Sequence, residues 1–417
     1  MRDVAITGMG IISSLACDAG SFFERISANE VAIELAPWAT TDAPVWWSGV
    51  RDFRAADWMT PTVESGTDRH AQFTLAAAVQ SVAQSGIRFD PGRTAVVHGT
   101  TLGGARAMLR AQHDLEHRGP EGIDRKTLIK ISPNMAAAQL AMRWQLHGPQ
   151  LTVCTACAAS VDALGTAARL IADGRADAAL AGGTEGGWTG ADGGAEGDFA
   201  PAVYYSQIAY GMVATGVDRS VASVPFDCRR RGVVTGEGSA MFVLERADLA
   251  RARGATVLAE ITGYGSLADA YHPSSPEPTG QWEAEVMRQA LADAGLAPRD
   301  IGAVIAHATS TPKGDSAEIR ALNRVHRPGR QAPLPVTSLK GHIGHSGAAA
   351  GGMSLAVAVL ALDRGVLPHT AGTSDVDPEA QFSVVTGQPI QVTMDSVQLN
   401  AFGFGGQNAS LIVSRPR

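Results

Sequence analysis

The sequence predicts an α/β protein built from two similar halves. Short apolar segments typical of buried strands alternate with longer segments of helical periodicity, a pattern that indicates largely parallel sheets flanked by helices. The segment Glu260-Ile-Thr-Gly-Tyr-Gly265 repeats Ala5-Ile-Thr-Gly-Met-Gly10. A helix followed by a strand that ends in histidine also occurs twice, within residues 71–98 and again within residues 283–307. A repeat of this length is too long for a solenoid and indicates a duplicated domain.

Length and composition agree with a large enzyme. The 417 residues are 45% hydrophobic and 18% charged, and a net charge of −7 argues against general nucleic-acid binding. We place the two halves at residues 1–255 and 256–417, packed as a pseudo-dimer with the functional site at the seam between them. Four cysteines are too few for a disulfide framework and predict reduced thiols.

Targeting signals are not evident. The first ten residues lack the apolar core of a secretory signal, and the apolar run at residues 353–362 is about half the length of a membrane span. We therefore expect a cytoplasmic protein that binds neither membranes nor nucleic acid.

Cys157 lies where a strand is predicted to become a helix. Val161, Leu164 and Ile171 recur at helical spacing after it, and Gly174 is placed to end the helix. Free N–H groups and the helix dipole favour a thiolate at such a position, and the small neighbouring alanines leave the sulfur accessible. This segment alone leaves two interpretations open, a nucleophile or an inert buried thiol.

Three motifs in the second half place polar residues among small and apolar ones. They are Ala306-His307-Ala-Thr309-Ser-Thr311, which continues to Asp315 and Glu318; Ser338-Leu-Lys340-Gly-His342-Ile-Gly-His345; and Asn400-Ala-Phe402-Gly-Phe404-Gly-Gly406. The first motif begins at the end of a predicted strand, where α/β folds build their sites.

Two other chemistries were weighed for these motifs. His342 and His345, with His307 or Cys157, could supply zinc ligands, but no further carboxylate or thiolate falls at ligand spacing, so we expect no metal. A cysteine protease of the Cys-His-Asn type is disfavoured because its local cysteine signature is absent.

Taken together, the motifs resemble one family. Cys157 in Thr-Ala-Cys-Ala-Ala-Ser, His307 in His-Ala-Thr-Ser-Thr-Pro, the Lys340-x4-His345 spacing and Gly-Phe404-Gly-Gly are similar to the β-ketoacyl-[acyl-carrier-protein] synthases of the elongating Cys-His-His type. The resemblance covers essentially the whole chain. It implies a thiolase-like, duplicated αβαβα fold in five layers, no cofactor, and a dimer whose active site lies near the subunit interface.

The resemblance also implies a reaction, the decarboxylative Claisen condensation of a Cys157-bound acyl chain with a malonyl group on an acyl carrier protein. Cys157 would be the nucleophile, and its backbone N–H and that of Phe404 would form the oxyanion hole. Neutral His307 and His345 would hold the enolate oxygen. Lys340 and Glu318 would form an ion pair behind them.

The substrate contacts follow from the same resemblance. Thr309 and Thr311 would bind the pantetheine arm, and Leu102 would line the acyl tunnel. Phe404 would gate the acyl pocket, with Phe402 beside it. Asp315 is expected to cap a helix that begins near Ser316 rather than to do chemistry.

The carrier-docking surface departs from the family pattern. Glu64-Ser-Gly-Thr67 and Val224 stand where relatives carry basic residues. The carrier is acidic, so we expect other cations to supply the docking charge. The candidates are Arg125, Lys126, Lys130, Arg229, Arg230 and Arg231.

The pathway and the partner remain alternatives. The unusual docking surface and a glycine- and acid-rich segment at residues 186–197, expected to be a mobile surface loop, favour a type II polyketide or polyene pathway over fatty-acid synthesis. The alternatives are a non-catalytic, chain-length-factor-like subunit and an acyltransferase that does not decarboxylate. The protein would act as a homodimer or as a heterodimer with a ketosynthase-like partner.

Overall fold

The computed structural model describes residues 4–36, 44–186 and 201–417. The strands in these residues are β1 Val4–Ser13, β2 Glu34–Leu35, β3 Trp46–Ser48, β4 Thr94–Gly99, β5 Gln150–Val153, β6 Ala178–Glu185, β7 Thr235–Gly236, β8 Gly238–Arg246, β9 Ala259–Ala268, β10 Ala303–Ile305, β11 Pro335–Thr337, β12 Val366–Leu367, β13 Ser383–Val384, β14 Ile390–Gln391, β15 Ser396–Gly403 and β16 Gln407–Ser414. The predicted loop at residues 186–197 lies, except for Gly186, outside the described residues.

The helices of the same residues surround these strands. They are α1 Ala19–Ser27, α2 Pro61–Ser65, α3 Arg69–Ser85, α4 Ala105–Arg118, α5 Thr127–Ile131, α6 Met135–Trp144, α7 Ala159–Ala172, α8 Pro201–Ala209, α9 Ala247–Ala252, α10 Gln281–Ala294, α11 Pro312–His326, α12 Lys340–Ile343 and α13 Ala350–Arg364.

The strand order shows the duplication that the sequence repeat predicts. Eleven strands form one hydrogen-bonded sheet in the order β13-β11-β10-β15-β16-β9-β1-β8-β6-β4-β5. Outward from the central β1–β9 pair, the first half runs β1, β8, β6, β4, β5, and the second half runs β9, β16, β15, β10, β11. The pairings also match, being antiparallel, antiparallel, parallel and parallel in each half. The boundary between residues 255 and 256 stays a prediction.

Helices α7 and α13 form the central layer of the molecule. Both contact strands of the two halves, and they contact each other, whereas α3 packs on β1 and β8 and α10 packs on β9 and β16. The order of layers is therefore helix, sheet, helix pair, sheet, helix. This is the thiolase-like, five-layered αβαβα fold expected from the resemblance.

The repeated Ile-Thr-Gly-x-Gly motif has a packing role in both halves. A Cβ added to Gly8 would lie 1.9 Å from the carbonyl oxygen of Ser81 in α3, and one added to Gly263 would lie 2.2 Å from that of Ala290 in α10. Only glycine lets each helix backbone approach its strand this closely. The motif recurs because the same contact is made twice.

One apolar helical segment, residues 347–364, is long and hydrophobic enough to span a membrane by composition. In the structure 83% of that segment is buried inside the protein. It includes α13, whose burial between the sheets explains its hydrophobicity, so it is a core helix.

Candidate active site

Cys157 lies in a tight turn between β5 and α7. The turn is a 3-10 helix at Ala156–Ala158, and Ala156 has a left-handed backbone with φ of 49°. Such a conformation is uncommon for a residue with a side chain and has to be held by its surroundings. Cys157 is partly exposed as a whole residue, whereas its thiol is buried.

A buried carboxylate holds this turn to the second half of the chain. The Thr155 hydroxyl donates to Asp162 Oδ2 at 2.5 Å, and the Tyr264 hydroxyl donates to Asp162 Oδ1 at 2.6 Å. Asp162 is in the first turn of α7, where the helix dipole favours a negative charge. Since Tyr264 belongs to β9, the position of the nucleophile turn depends on both halves. Neither Asp162 nor Tyr264 was predicted from the sequence as a site residue.

The β15–β16 connection approaches the same turn. A Cβ added to Gly403 would lie 3.0 Å from the backbone nitrogen of Cys157 and 2.8 Å from the carbonyl oxygen of Thr155. The glycine therefore permits the backbone before Phe404 to lie beside Cys157. This contact places the two predicted oxyanion-hole segments next to each other, and the hole itself stays a prediction.

His307 and His345 lie together, in contact edge to face. Their ring centroids are 5.3 Å apart at an interplanar angle of 88°, and both side chains are buried. His307 follows β10. His345 is fixed through its backbone, because its N–H donates to Val234 O at 2.7 Å. The two predicted histidines, which are 38 positions apart in the chain, thus form one pair in the structure.

Both imidazoles are neutral in the resting protein. Burial, followed by the nearby Lys340 charge, lowers the pKa of His345 to about 3 and holds the pKa of His307 well below its ordinary value. Both ring nitrogens of His345 are buried and have no hydrogen-bond partner in the described structure. A neutral imidazole with a free N–H can donate to a negative oxygen brought between the rings.

Glu318 and Lys340 hold the backbone that carries His307. Glu318 accepts hydrogen bonds from the N–H groups of His307 at 2.9 Å and Ala308 at 2.6 Å, and Lys340 Nζ donates to Ala306 O at 3.3 Å. The expected ion pair is not a direct contact among these described side chains. The Glu318 carboxylate binds two N–H groups of this turn, and the Lys340 ammonium binds a carbonyl oxygen of the same turn.

The two charges still influence each other across this turn. Burial lowers the pKa of Lys340 to about 8, and the carboxylate of Glu318 partly opposes this effect. Burial also raises the pKa of Glu318, against its two backbone hydrogen bonds and the Lys340 charge. The ammonium persists at neutral pH and acts on Cys157, His307 and His345.

The thiol of Cys157 is protonated in the resting protein. Burial is the main cause that raises its pKa to about 12; the Glu185 carboxylate adds to the increase, and Lys340 opposes it. In the resting state, burial thus opposes the thiolate that the helix terminus was expected to favour. The sequence could not reveal this, because burial and the Glu185 carboxylate of β6 depend on the fold.

The residues predicted to contact the substrate differ in how far they are buried. Phe402 is buried with its ring 5.7 Å from that of His307, whereas Phe404 is 45% exposed and Leu102 is 43% exposed. The exposure of Phe404 and Leu102 is compatible with a gate and a pocket wall. Thr309 and Thr311 lie together, with their hydroxyl oxygens 3.1 Å apart. Their roles in binding stay predictions.

The prediction for Asp315 is wrong. Helix α11 begins at Pro312 rather than near Ser316, with Thr311 as its N-cap residue. Asp315 is buried in the first turn and accepts from the N–H groups of Thr311 at 3.2 Å and Phe226 at 2.8 Å. A proline at the first helical position was the signal for the earlier start.

Two of the predicted docking cations form ion pairs within the protein, one of them buried and the other at the surface. Arg230 is buried, with its guanidinium 2.8 Å from Asp377 Oδ2, and Arg229 is paired with Asp227 at 2.7 Å. The prediction of Arg230 as a surface contact is therefore wrong, and the Arg229 charge is neutralised.

The remaining docking candidates reach the surface. Arg125 and Arg231 are exposed. Lys126 donates to the Ser65 hydroxyl at 2.7 Å, and Lys130 is paired with Asp124 at 2.6 Å. Arg125 and Arg231 are thus the two candidates for which no internal partner was found in the described residues.

The positions of the described side chains do not favour the zinc site considered as an alternative. Over residues 4–36, 44–186 and 201–417, no group of three or more histidine, cysteine, aspartate and glutamate side chains is arranged to hold a metal ion. His342 points away from His345, since its ring nitrogens lie 2.8 Å and 2.9 Å from the carbonyl oxygens of Glu30 and His369.

Comparison with known proteins identifies the family. Residues 1–250 match the family model of the β-ketoacyl synthase N-terminal domain, and residues 258–374 match that of the C-terminal domain. The 3-oxoacyl-[acyl-carrier-protein] synthase 2 of Coxiella burnetii is 32% identical over 423 residues, covering 99% of each chain.

Two solved structures share the whole fold. The ishigamide ketosynthase/chain length factor aligns over 100% of both chains with a TM-score of 0.89 and 28% identity. A β-ketoacyl synthase from Burkholderia phymatum aligns over 100% of both chains with a TM-score of 0.88 and 29% identity. The two family models and a relative 32% identical along nearly the whole length show that this chain belongs to the β-ketoacyl synthase family.

Proposed function

We propose that this protein is a β-ketoacyl-[acyl-carrier-protein] synthase that elongates carrier-bound acyl chains by decarboxylative Claisen condensation. The observation that carries the proposal is the pair of neutral imidazoles, His307 and His345, together with the contact between the turn after His345 and the turn that carries Cys157. The curated relatives with 3-oxoacyl-[acyl-carrier-protein] synthase names support the substrate class.

In the first half-reaction, Cys157 takes an acyl group from the carrier thioester. The sulfur adds to the thioester carbonyl, the carrier thiolate leaves, and the thiol proton balances that thiolate. Because the thiol is protonated at rest, it must lose its proton as the substrate arrives. The Lys340 charge favours the thiolate, and the N–H groups of Cys157 and Phe404 would stabilise the oxyanion.

In the second half-reaction, the malonyl group on the carrier loses carbon dioxide. The electron pair of the broken carbon–carbon bond becomes an enolate, whose charge lies on the thioester oxygen. His307 and His345 donate hydrogen bonds to that oxygen, and the carbanion carbon attacks the Cys157 thioester. The product is a β-ketoacyl group two carbons longer on the carrier, and the Cys157 sulfur is released as a thiolate.

Lys340 and Glu318 serve this chemistry by positioning. They hold the Ala306–Ala308 turn and thereby fix the His307 ring against His345. Burial, with a smaller contribution from the Lys340 charge, keeps both rings neutral, so each ring carries one N–H for the enolate oxygen.

The cellular setting belongs to the same proposal. We place the protein in the cytoplasm, in a type II polyketide or polyene pathway or in fatty-acid synthesis, as a homodimer or as a heterodimer with a ketosynthase-like partner. Thr309 and Thr311 would contact the pantetheine arm, and Arg125 and Arg231 would meet the acidic carrier. The likeness to the ishigamide ketosynthase/chain length factor supports a heterodimer as one of the two assemblies.

Intact-protein mass spectrometry with acyl-carrier and malonyl-carrier proteins tests the proposal. We expect an acyl adduct on the wild type, none on Cys157→Ala, and a β-ketoacyl carrier two carbons longer than the primer. Acyl transfer without release of carbon dioxide would indicate the acyltransferase alternative. No adduct on the wild type, alone or with a ketosynthase-like partner, would indicate the non-catalytic subunit.

A further inference from the structure

A buried carboxylate outside the predicted site joins two of its loops. Glu185 is the last residue of β6 and is 1% exposed. Its Oε2 atom accepts from the N–H of Thr101 at 3.1 Å, from the Thr101 hydroxyl and from the N–H of Ala348 at 3.4 Å. Thr101 precedes Leu102, the predicted wall of the acyl tunnel, and Ala348 lies three residues after His345.

The packing around this carboxylate is tight. A Cβ added to Gly347 would lie 2.9 Å from Cγ and 3.0 Å from Oε2 of Glu185, so the turn after His345 is shaped around this side chain. The opposite side of the Thr101 loop is held by β5, since the N–H of Thr100 donates to Val153 O at 3.1 Å and Cys154 Sγ donates to Thr101 O at 3.4 Å.

The second carboxylate oxygen of Glu185, Oε1, is buried and has no hydrogen-bond partner in the described structure. A buried acceptor without a partner is costly, so such an atom calls for an explanation. The Glu185 carboxylate is also close enough to Cys157 to raise the pKa of the thiol.

We propose that Glu185 is a positioning residue that fastens the acyl-pocket loop, residues 100–103, to the turn after His345 and so sets the pocket depth beside Cys157. The role in chain-length selection rests on the proposed function.

The experiment measures acylation of Cys157 by acyl-N-acetylcysteamine thioesters of increasing chain length in the purified full-length protein. Glu185→Gln retains an acceptor for Thr101 and should keep the wild-type length preference, whereas Glu185→Ala frees the loop and should accept longer chains at least threefold better. If Glu185→Ala does not fold, Thr101→Val removes one of the three contacts and should show a smaller shift in the same direction. Unchanged length preference in a folded Glu185→Ala, or equal shifts in the Gln and Ala variants, would refute the positioning role. Condensation is not needed for this readout, so failure here is distinct from failure of the proposed function.

Discussion

Replacing Lys340 by methionine should abolish condensation and still leave the protein at neutral pH at least as stable as the wild type. The Lys340 ammonium is 3% exposed, and a single carbonyl oxygen lies at 3.3 Å. Burial lowers its pKa from 10.5 to about 8. At 1.36 kcal/mol per pKa unit, the charge costs the folded state about 3 kcal/mol. The methionine variant also loses the attraction between Lys340 and Glu318, so about 3 kcal/mol is an upper limit for its gain in stability.

The sign of the effect gives it a pH signature. A base whose pKa is lower in the folded state than in the unfolded state is destabilising below the folded pKa. The destabilisation disappears as the pH rises from about 8 towards 10.5. The methionine variant should therefore exceed the wild type in stability most clearly below pH 8, and the difference should shrink above it.

Thermal unfolding at pH 6.5 and at pH 9.5 measures this difference. An unfolding entropy of about 2.1 cal/mol/K per residue gives about 0.9 kcal/mol/K for 417 residues, so about 3 kcal/mol corresponds to a rise in Tm of about 3 °C. Lys313→Met is the control, because Lys313 is exposed and should show no such pH dependence. A methionine variant less stable than the wild type by the same amount at both pH values would refute the reasoning.

Three further changes separate binding, chemistry and packing. His345→Ala should still be acylated on its cysteine but condense about 10²–10³ times more slowly, because one donor to the enolate is lost; an unchanged condensation rate by product analysis would contradict this. Leu102→Ala should enlarge the acyl pocket, so acylation rates should rise for longer chains, and an unaltered length profile would exclude this residue from the wall. Tyr264→Phe keeps the ring but removes the hydroxyl that Asp162 accepts at 2.6 Å. It should lower the unfolding free energy by about 1.5–3 kcal/mol in denaturant titrations, and no change would mean that the hydroxyl does not stabilise the fold.

The sequence by itself determined the duplication and the main site residues. The repeated Ile-Thr-Gly-x-Gly motif marks the two strands on which α3 and α10 pack, because a close helix–strand approach requires glycine at those positions. Cys157, His307 and His345 were visible because each lies at the end of a strand or in a glycine-rich turn, where the local pattern changes. These signals are local, so they can be found without knowing how the halves pack.

Only the tertiary structure decided how these residues are charged and held. The Asp162–Tyr264 hydrogen bond joins residues 102 positions apart, and the contact of Glu185 with Ala348 joins residues 163 positions apart. No periodicity or motif marks such pairs, because they depend on how two sheets pack across a shared layer of helices. For the same reason Arg230 was mistaken for a surface cation, and the burial that keeps the Cys157 thiol protonated was not visible in the sequence. Burial and long-range charge set both outcomes, and both arise only when the chain is folded.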